Sequence, residues 1–226
     1  MKQMNLFDMG EVSVLLLAPF MSKMTIEITE RTLSHPNVQK LIHSDEHFDV
    51  VIVEQFMNEA LKGFAAHFNA SLVVFNSVGA NSWVNPTVGN PTPVSYCSEP
   101  IRGFPSKMTL YERYLNAFTY SYFQVINHLY TFPQQDKLLK NYFSNDLELA
   151  DVMYNVSLVL LNSHPSTNQP VPYVPNMVDI GGYHVKPPKK LPDDLQEFLD
   201  NSKHLFQLGF KREKCFPTGA KTTSYS

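Results

Sequence analysis

Cysteine is nearly absent from this chain of 226 residues: Cys97 and Cys215 stand alone, without C-x-x-C spacing. Neither a disulfide framework nor a zinc site is encoded by them; Cys97 reads as a buried or loop thiol and Cys215 as a tail thiol. An excess of positive charge is missing too. The formal net charge is −3, which leaves no electrostatic basis for binding nucleic acid or an anionic membrane surface. Long apolar runs are lacking as well. The run from Val12 to Phe20 is interrupted by Ser13 and Pro19, whereas a bilayer span takes about 20 apolar residues. Asp8 and Glu11 stand where a signal peptide would carry basic residues, and no small-residue cleavage site follows. The chain has no G-x-S-x-G elbow, no Walker motif and no G-x-G-x-x-G. Its histidines offer no metal-ligand spacing; His43 and His47 are four apart but lie in a polar cluster.

What is present is the composition of a globular α/β protein, 43% hydrophobic and 12% aromatic, which is enough for a core. Residues 1–47 read as helical. Ser34-His-Pro-Asn37 ends one helix and starts a second around Val38, Leu41 and Ile42. Val50–Val53 are four consecutive β-branched residues, the pattern of a strand covered on both faces. From Glu54 the period changes, and Phe56, Ala60, Leu61, Phe64, Ala65 and Phe68 fall on one face of a helix of about a dozen residues. Ser71–Phe75 returns to strand character, so the three segments make a β-α-β unit of a parallel sheet.

An irregular, proline-rich stretch follows from Asn76 to Pro105 and holds Trp83, the one tryptophan. Its length and its aromatics, Trp83, Tyr96 and Phe104, mark a packed, ligand-facing loop. Residues 106–143 carry Tyr111, Tyr114, Phe118, Tyr122, Phe123, Tyr130 and Phe132 at helical spacing, with a start near Ser106–Thr109 and a break at Pro133. These aromatics read as core packing, in preference to a ligand cage. Val156–Leu161 is a further buried strand, and Met177–Gly182 a short strand closed by a double-glycine turn. Lys186–Lys190 resembles a linker, and Pro192–Asn201 opens a helix with acidic residues in its first turn.

Glu54 is the candidate catalytic group. It stands where a parallel strand ends, and ligands of open α/β sheets bind beyond the carboxyl ends of the strands. An ordinary first-turn glutamate is the competing reading. Two N-x-S/T sequons, at Asn69 and Asn155, adjoin expected strands.

Four segments stand out together: FDVVIVEQFMNEALKGFAAHF, NPTPVSYCSEPIRGFPSKMTLYERYLNAF, VSLVLLNSH and VPYVPNMVDIGGYHVKPPKKLPDDLQEFLDNSK. Read in order, they resemble the UDP-glycosyltransferase (UDP-glucuronosyltransferase) family, its insect members in particular. The similarity runs from Phe48 to Lys203 and more weakly back to Asp8. The resemblance implies two Rossmann-like lobes, a GT-B architecture whose first lobe binds a small lipophilic acceptor and whose second binds the UDP-sugar, either UDP-glucose or UDP-glucuronate. A histidine general base, held by a carboxylate, deprotonates the acceptor, and the hexosyl or glucuronosyl group is transferred with inversion, without metal or further cofactor. Glu54 falls where the family carries that carboxylate, typically aspartate. The loop from Asn76 onward, with Asn76, Ser77, Trp83 and Phe104, falls in the acceptor pocket. Detoxification, an endoplasmic-reticulum membrane location for full-length members, and dimers with itself or a relative are further implications.

No histidine of the chain maps onto the base, and the donor-lobe signature has no counterpart. Residues 1–185 are therefore expected to form a partial acceptor lobe, 186–204 a linker and helix, and 205–226 a divergent, disordered tail. The resemblance also places a first strand beside Val50–Val53, and without it the chain is expected to be poorly soluble or molten. Two readings stay open: an enzyme fragment inactive by itself, and a non-catalytic form that binds acceptors or pairs with a full-length relative.

Overall fold

A computed structural model of the protein describes residues 13–201 apart from positions 167, 170 and 188. The expectations for residues 1–12, for Cys215 and for the 205–226 tail lie outside the described residues. Those described fall into two units, one up to Tyr183 and one from His184.

The larger unit is built on a four-stranded, all-parallel sheet: β1 (Val50–Glu54), β2 (Ser71–Asn76), β3 (Leu158–Leu161) and β4 (Met177–Asp179), in the order β1-β2-β3-β4. The α/β parallel architecture expected from the pattern is the one observed. Val53, Leu72, Val74, Val159, Leu161 and Met177 interlock into the core against the sheet. The expectation for β1 is corrected, however. Among the described residues it lies at the edge of the sheet, and of its own residues Val53 alone is buried, while Ile52 is 65% exposed.

The β1–β2 connection also differs from the expected dozen-residue helix. It consists of a 3-10 turn, Glu59–Lys62, and the short helix α3 (Gly63–His67). The cause is Asn58. Its side chain accepts the Phe56 N–H at 2.9 Å and donates to the Glu54 carbonyl at 3.0 Å, and Met57 takes a left-handed φ of 56°. This side-chain turn supplants the first helical turn. At Gly63 an added Cβ would stand 2.5 Å from Leu139 Cδ1, so the glycine permits close approach of a neighbouring helix.

The helices before the sheet match the sequence reading. α1 (Val14–Ser34) runs to the expected stop, and α2 (Pro36–Ile42) starts with His35, whose Nδ1 accepts the Asn37 N–H. Pro19 lies inside α1. A proline there donates no hydrogen bond to the carbonyl four residues back, and that carbonyl, Leu15, instead accepts the Tyr122 hydroxyl at 3.1 Å.

α4 (Leu110–Ile126) begins at Thr109 with a full capping box to Glu112. Pro133 does not break the helical run. A π-helical turn, Asn127–Thr131, widens the backbone, and Pro133 falls in the first turn of α5 (Phe132–Tyr142), where a missing N–H is tolerated.

The aromatic stripe of α4 and of the π-helical turn that follows it is a second correction. Tyr111, Tyr114, Phe118 and Tyr130 are exposed, not core, although Phe123 is buried. The inward stripe is polar: Asn116, Thr119, Asn127, Thr131 and, on α5, Gln135. These side chains bind the backbone of irregular segments that pack on them. Asn116 donates to the Val94 and Cys97 carbonyls and accepts the Glu99 N–H, and Gln135 bonds Ala60 N–H and the Met57 carbonyl. Buried loop backbone must find such partners. α6 (Leu149–Tyr154) buries Leu149, Val152 and Met153 and leads into β3.

The second unit holds α7 (Asp193–Asp200), with Pro192 at its N-cap and Asp193 and Asp194 in the first turn, as expected.

Candidate functional site

Parallel strands aim their carboxyl ends the same way, and the segments leaving β1, β2, β3 and β4 frame clefts beyond that edge. Two clefts lie there.

The first, about 360 Å3, is lined by Thr25, Ile28, Glu54, Phe56, Asn58 and Ser77. Glu54 is the last residue of β1 and is exposed. Because the following helical turn starts only at Glu59, no helix N-terminus abuts its carboxylate. Ser77 shares this cleft, and its carbonyl accepts the Asn162 side-chain N–H at 3.1 Å.

The second cleft, about 370 Å3, opens over β2 and β3. Val78, Ala80, Phe104 and Val171 give it an apolar lining, and Asn81, Ser98, Glu99, Asn168, Gln169 and Tyr173 supply polar atoms. Phe104 is held from both sides of its peptide: its N–H donates to Ser98 Oγ at 2.9 Å, and its carbonyl accepts from Gln169 at 3.3 Å. Asn76 is buried and braces the loop leaving β2 by donating to the Gly79 carbonyl at 2.9 Å.

Glu99 is 2% exposed. Burial pushes its carboxyl up to about 7, against a smaller downward pull from the Ser82 hydroxyl, which donates to Oε2 at 2.8 Å. On the far wall the Tyr173 hydroxyl donates to Asp179 Oδ1 at 3.0 Å, and Ser163 Oγ bonds both groups. Burial, followed by the Asp179 carboxylate, raises the Tyr173 phenol, and burial alone raises the Cys97 thiol.

Trp83 lines neither cleft. It meets Phe56 edge-on at 5.9 Å and lines a cavity of about 40 Å3 with Glu59, Ser82, Asn127 and Thr131. Trp83 Nε1 and Asn127 Oδ1 are buried without a protein partner, and a cavity of that size has room for water. Asn69 and Asn155, the two sequon asparagines, are both exposed and line a cleft at the opposite, amino-terminal end of β2 and β3. The candidate residues therefore divide: Glu54 with Ser77 in the first cleft, Phe104 in the second, Trp83 at the small cavity, and Asn76 in the lining of neither cleft.

Sequence reasoning passed over Glu99, Ser163, Tyr173 and Asp179. A signal for Glu99 existed: it is the lone acidic residue between Asn76 and Pro105. Among the described residues, no group of three or more His, Cys, Asp or Glu side chains could hold a metal ion, and no helix is long and apolar enough to cross a membrane.

Comparison with known proteins identifies relatives of the chain. UDP-glucosyltransferase 2 of Dactylopius coccus is 32% identical over 194 residues, which cover 83% of this chain and 37% of that protein. UDP-glucuronosyltransferase 2A3 of Cavia porcellus is 30% identical over 112 residues, half of this chain and 21% of that protein. A human 2-hydroxyacylsphingosine 1-beta-galactosyltransferase is 25% identical over 202 residues, 89% of the chain and 36% of that protein. The matches thus span between 21% and 37% of the length of these relatives. No solved structure matches it. Residues 14–205 match the family described as UDP-glucoronosyl and UDP-glucosyl transferase, and with its parallel sheet and carboxyl-end clefts in that span, the chain belongs to this family.

Proposed function

We propose that the chain supplies the acceptor-binding lobe of a UDP-sugar-dependent glycosyltransferase that transfers a hexosyl or glucuronosyl group to small lipophilic hydroxyl compounds. The observation that carries the reading is the second cleft: an apolar lining with a few fixed polar atoms, at the carboxyl edge of a parallel sheet, inside the span matched by the family. Its volume suits a small organic molecule, and Phe104 is the aromatic wall. In this reading Glu54, in the adjoining cleft, is the carboxylate that orients the general base, and the base and the UDP-sugar site are assigned to no residue of this chain. UDP-glucose or UDP-glucuronate is the co-substrate, with no metal or other cofactor. Membrane attachment in the endoplasmic reticulum, a role in detoxification and pairing with a relative belong to the same reading for a longer form.

A chimera tests it. Residues 14–205 replace the matching segment of the Dactylopius coccus UDP-glucosyltransferase 2, and the product is assayed with UDP-glucose and 1-naphthol. Glucoside formation is expected, with a fall of about a hundredfold in kcat for Glu54→Ala. A folded chimera that binds UDP-glucose yet forms no glucoside with any lipophilic alcohol contradicts the proposal.

A further inference from the structure

The Glu99 cleft is unbalanced in charge. Among the described residues it is lined by one acidic residue and by no lysine, arginine or histidine. Oε2 of Glu99 has the neutral Ser82 hydroxyl as its donor, and Oε1 takes no hydrogen bond from a described residue. Among the described residues Glu99 forms no ion pair. Arg102, on the same loop, donates through Nε to Thr119 Oγ1 at 2.9 Å, and α4 faces the loop with the uncharged Asn116 and Thr119. From the far wall, Tyr173 is engaged with Asp179 and Ser163, which adds negative charge to that side, and the Cys97 thiol is kept protonated by burial.

A carboxylate taken out of water without a cation is destabilised. An ammonium ion would restore the missing charge, and a hydrogen bond charged on both sides exceeds one from a neutral hydroxyl. Val78, Ala80, Phe104 and Val171 leave an apolar surface beside the carboxyl for a hydrocarbon body.

We propose that this cleft binds a small lipophilic amine as its ammonium ion, the N–H groups donating to Glu99 and the apolar body resting on Phe104 and Val171. The inference concerns binding alone and rests on the reading of this cleft as the acceptor site. Because the Glu99 carboxyl titrates at about 7, the cleft acquires its charge across neutrality. Amine affinity therefore rises with pH from 5.5 to 8 while the ligand remains protonated.

Three probes of matched shape separate charge from shape: 1-naphthylmethylamine, 1-naphthalenemethanol and 1-ethylnaphthalene, measured by equilibrium dialysis against the full chain. At pH 8 the amine is expected to bind at least about tenfold more tightly than the alcohol. That advantage is expected to vanish at pH 5.5 and in Glu99→Gln. The pH series uses the unaltered protein, so it remains decisive if the variant does not fold. Equal binding of amine and alcohol at pH 8, amine affinity independent of pH, no binding of any probe, or a folded Glu99→Gln that keeps the advantage would each overturn the proposal. No UDP-sugar is present, and binding of the alcohol without preference for the amine overturns this proposal alone, leaving the transferase reading to the chimera.

Discussion

Of the carboxylates at the carboxyl edge of the sheet, Glu54 and Glu99 differ in nearly everything except charge type. Glu54 ends an edge strand, is exposed, and sits in a cleft framed by β1 and α1. Glu99 sits on an irregular loop, is buried with its N–H bonded to Asn116 of α4, and has one neutral hydroxyl as its side-chain donor. Position in a regular element thus gave the conspicuous acid, while the environment that alters an acid's chemistry was built by a loop. The difference is that a loop can be clamped from below by polar helix residues, whereas the end of an edge strand faces water.

The clamp is the first place to break this contrast. Asn116→Ala leaves the Val94 and Cys97 carbonyls and the Glu99 N–H without partners, and a loss of about 3 kcal/mol in urea unfolding is expected. Next is the pH dependence of Glu99. Its folded-state value of about 7 lies above the ordinary 4.5, so the native state holds the proton more tightly than the unfolded chain. The stabilisation is complete below pH 4.5 and is lost as pH rises through about 7. Between pH 5 and 8 it is expected to fall by up to about 3 kcal/mol, and Glu99→Gln should flatten that slope in urea melts at the two pH values. Ser82→Ala sharpens the contrast further: it removes the one side-chain donor to the buried carboxylate and is expected to destabilise by about 2 kcal/mol at pH 8, with a smaller effect at pH 5. Glu54→Gln is the control, expected to change stability by less than about 0.5 kcal/mol in the same melts, because its side chain is exposed.

Much of the fold was legible because its signals are local. The β-branched runs at Val50–Val53 and Ser71–Phe75 are strands, and their spacing implied the parallel pairing that β1 and β2 adopt. The start of α4 was written in Thr109 and Glu112. The orientation of α4 was not legible. Periodicity assigns the apolar stripe to the interior, but here Asn116, Thr119 and Gln135 face inward because long irregular segments need hydrogen-bond partners, a demand set by tertiary packing. The start of the helix after β1 was misplaced for a similar reason: the Asn58 side chain competes with helical hydrogen bonding in a way that apolar spacing does not record. Residues at the clefts were reached through strand ends and through family resemblance. Tyr173, Ser163 and Asp179 meet only after the sheet has brought β3 and β4 side by side.

The most direct test of the account is a chemical-shift map of the isotopically labelled chain titrated with 1-naphthol. The account predicts that the perturbed amides cluster at Gly79, Ser98, Gly103 and Gln169, around the cleft at the carboxyl ends of β2 and β3. Perturbations gathered instead at Ala66, Asn69 and Asn155, around the cleft at the amino-terminal ends, would contradict it.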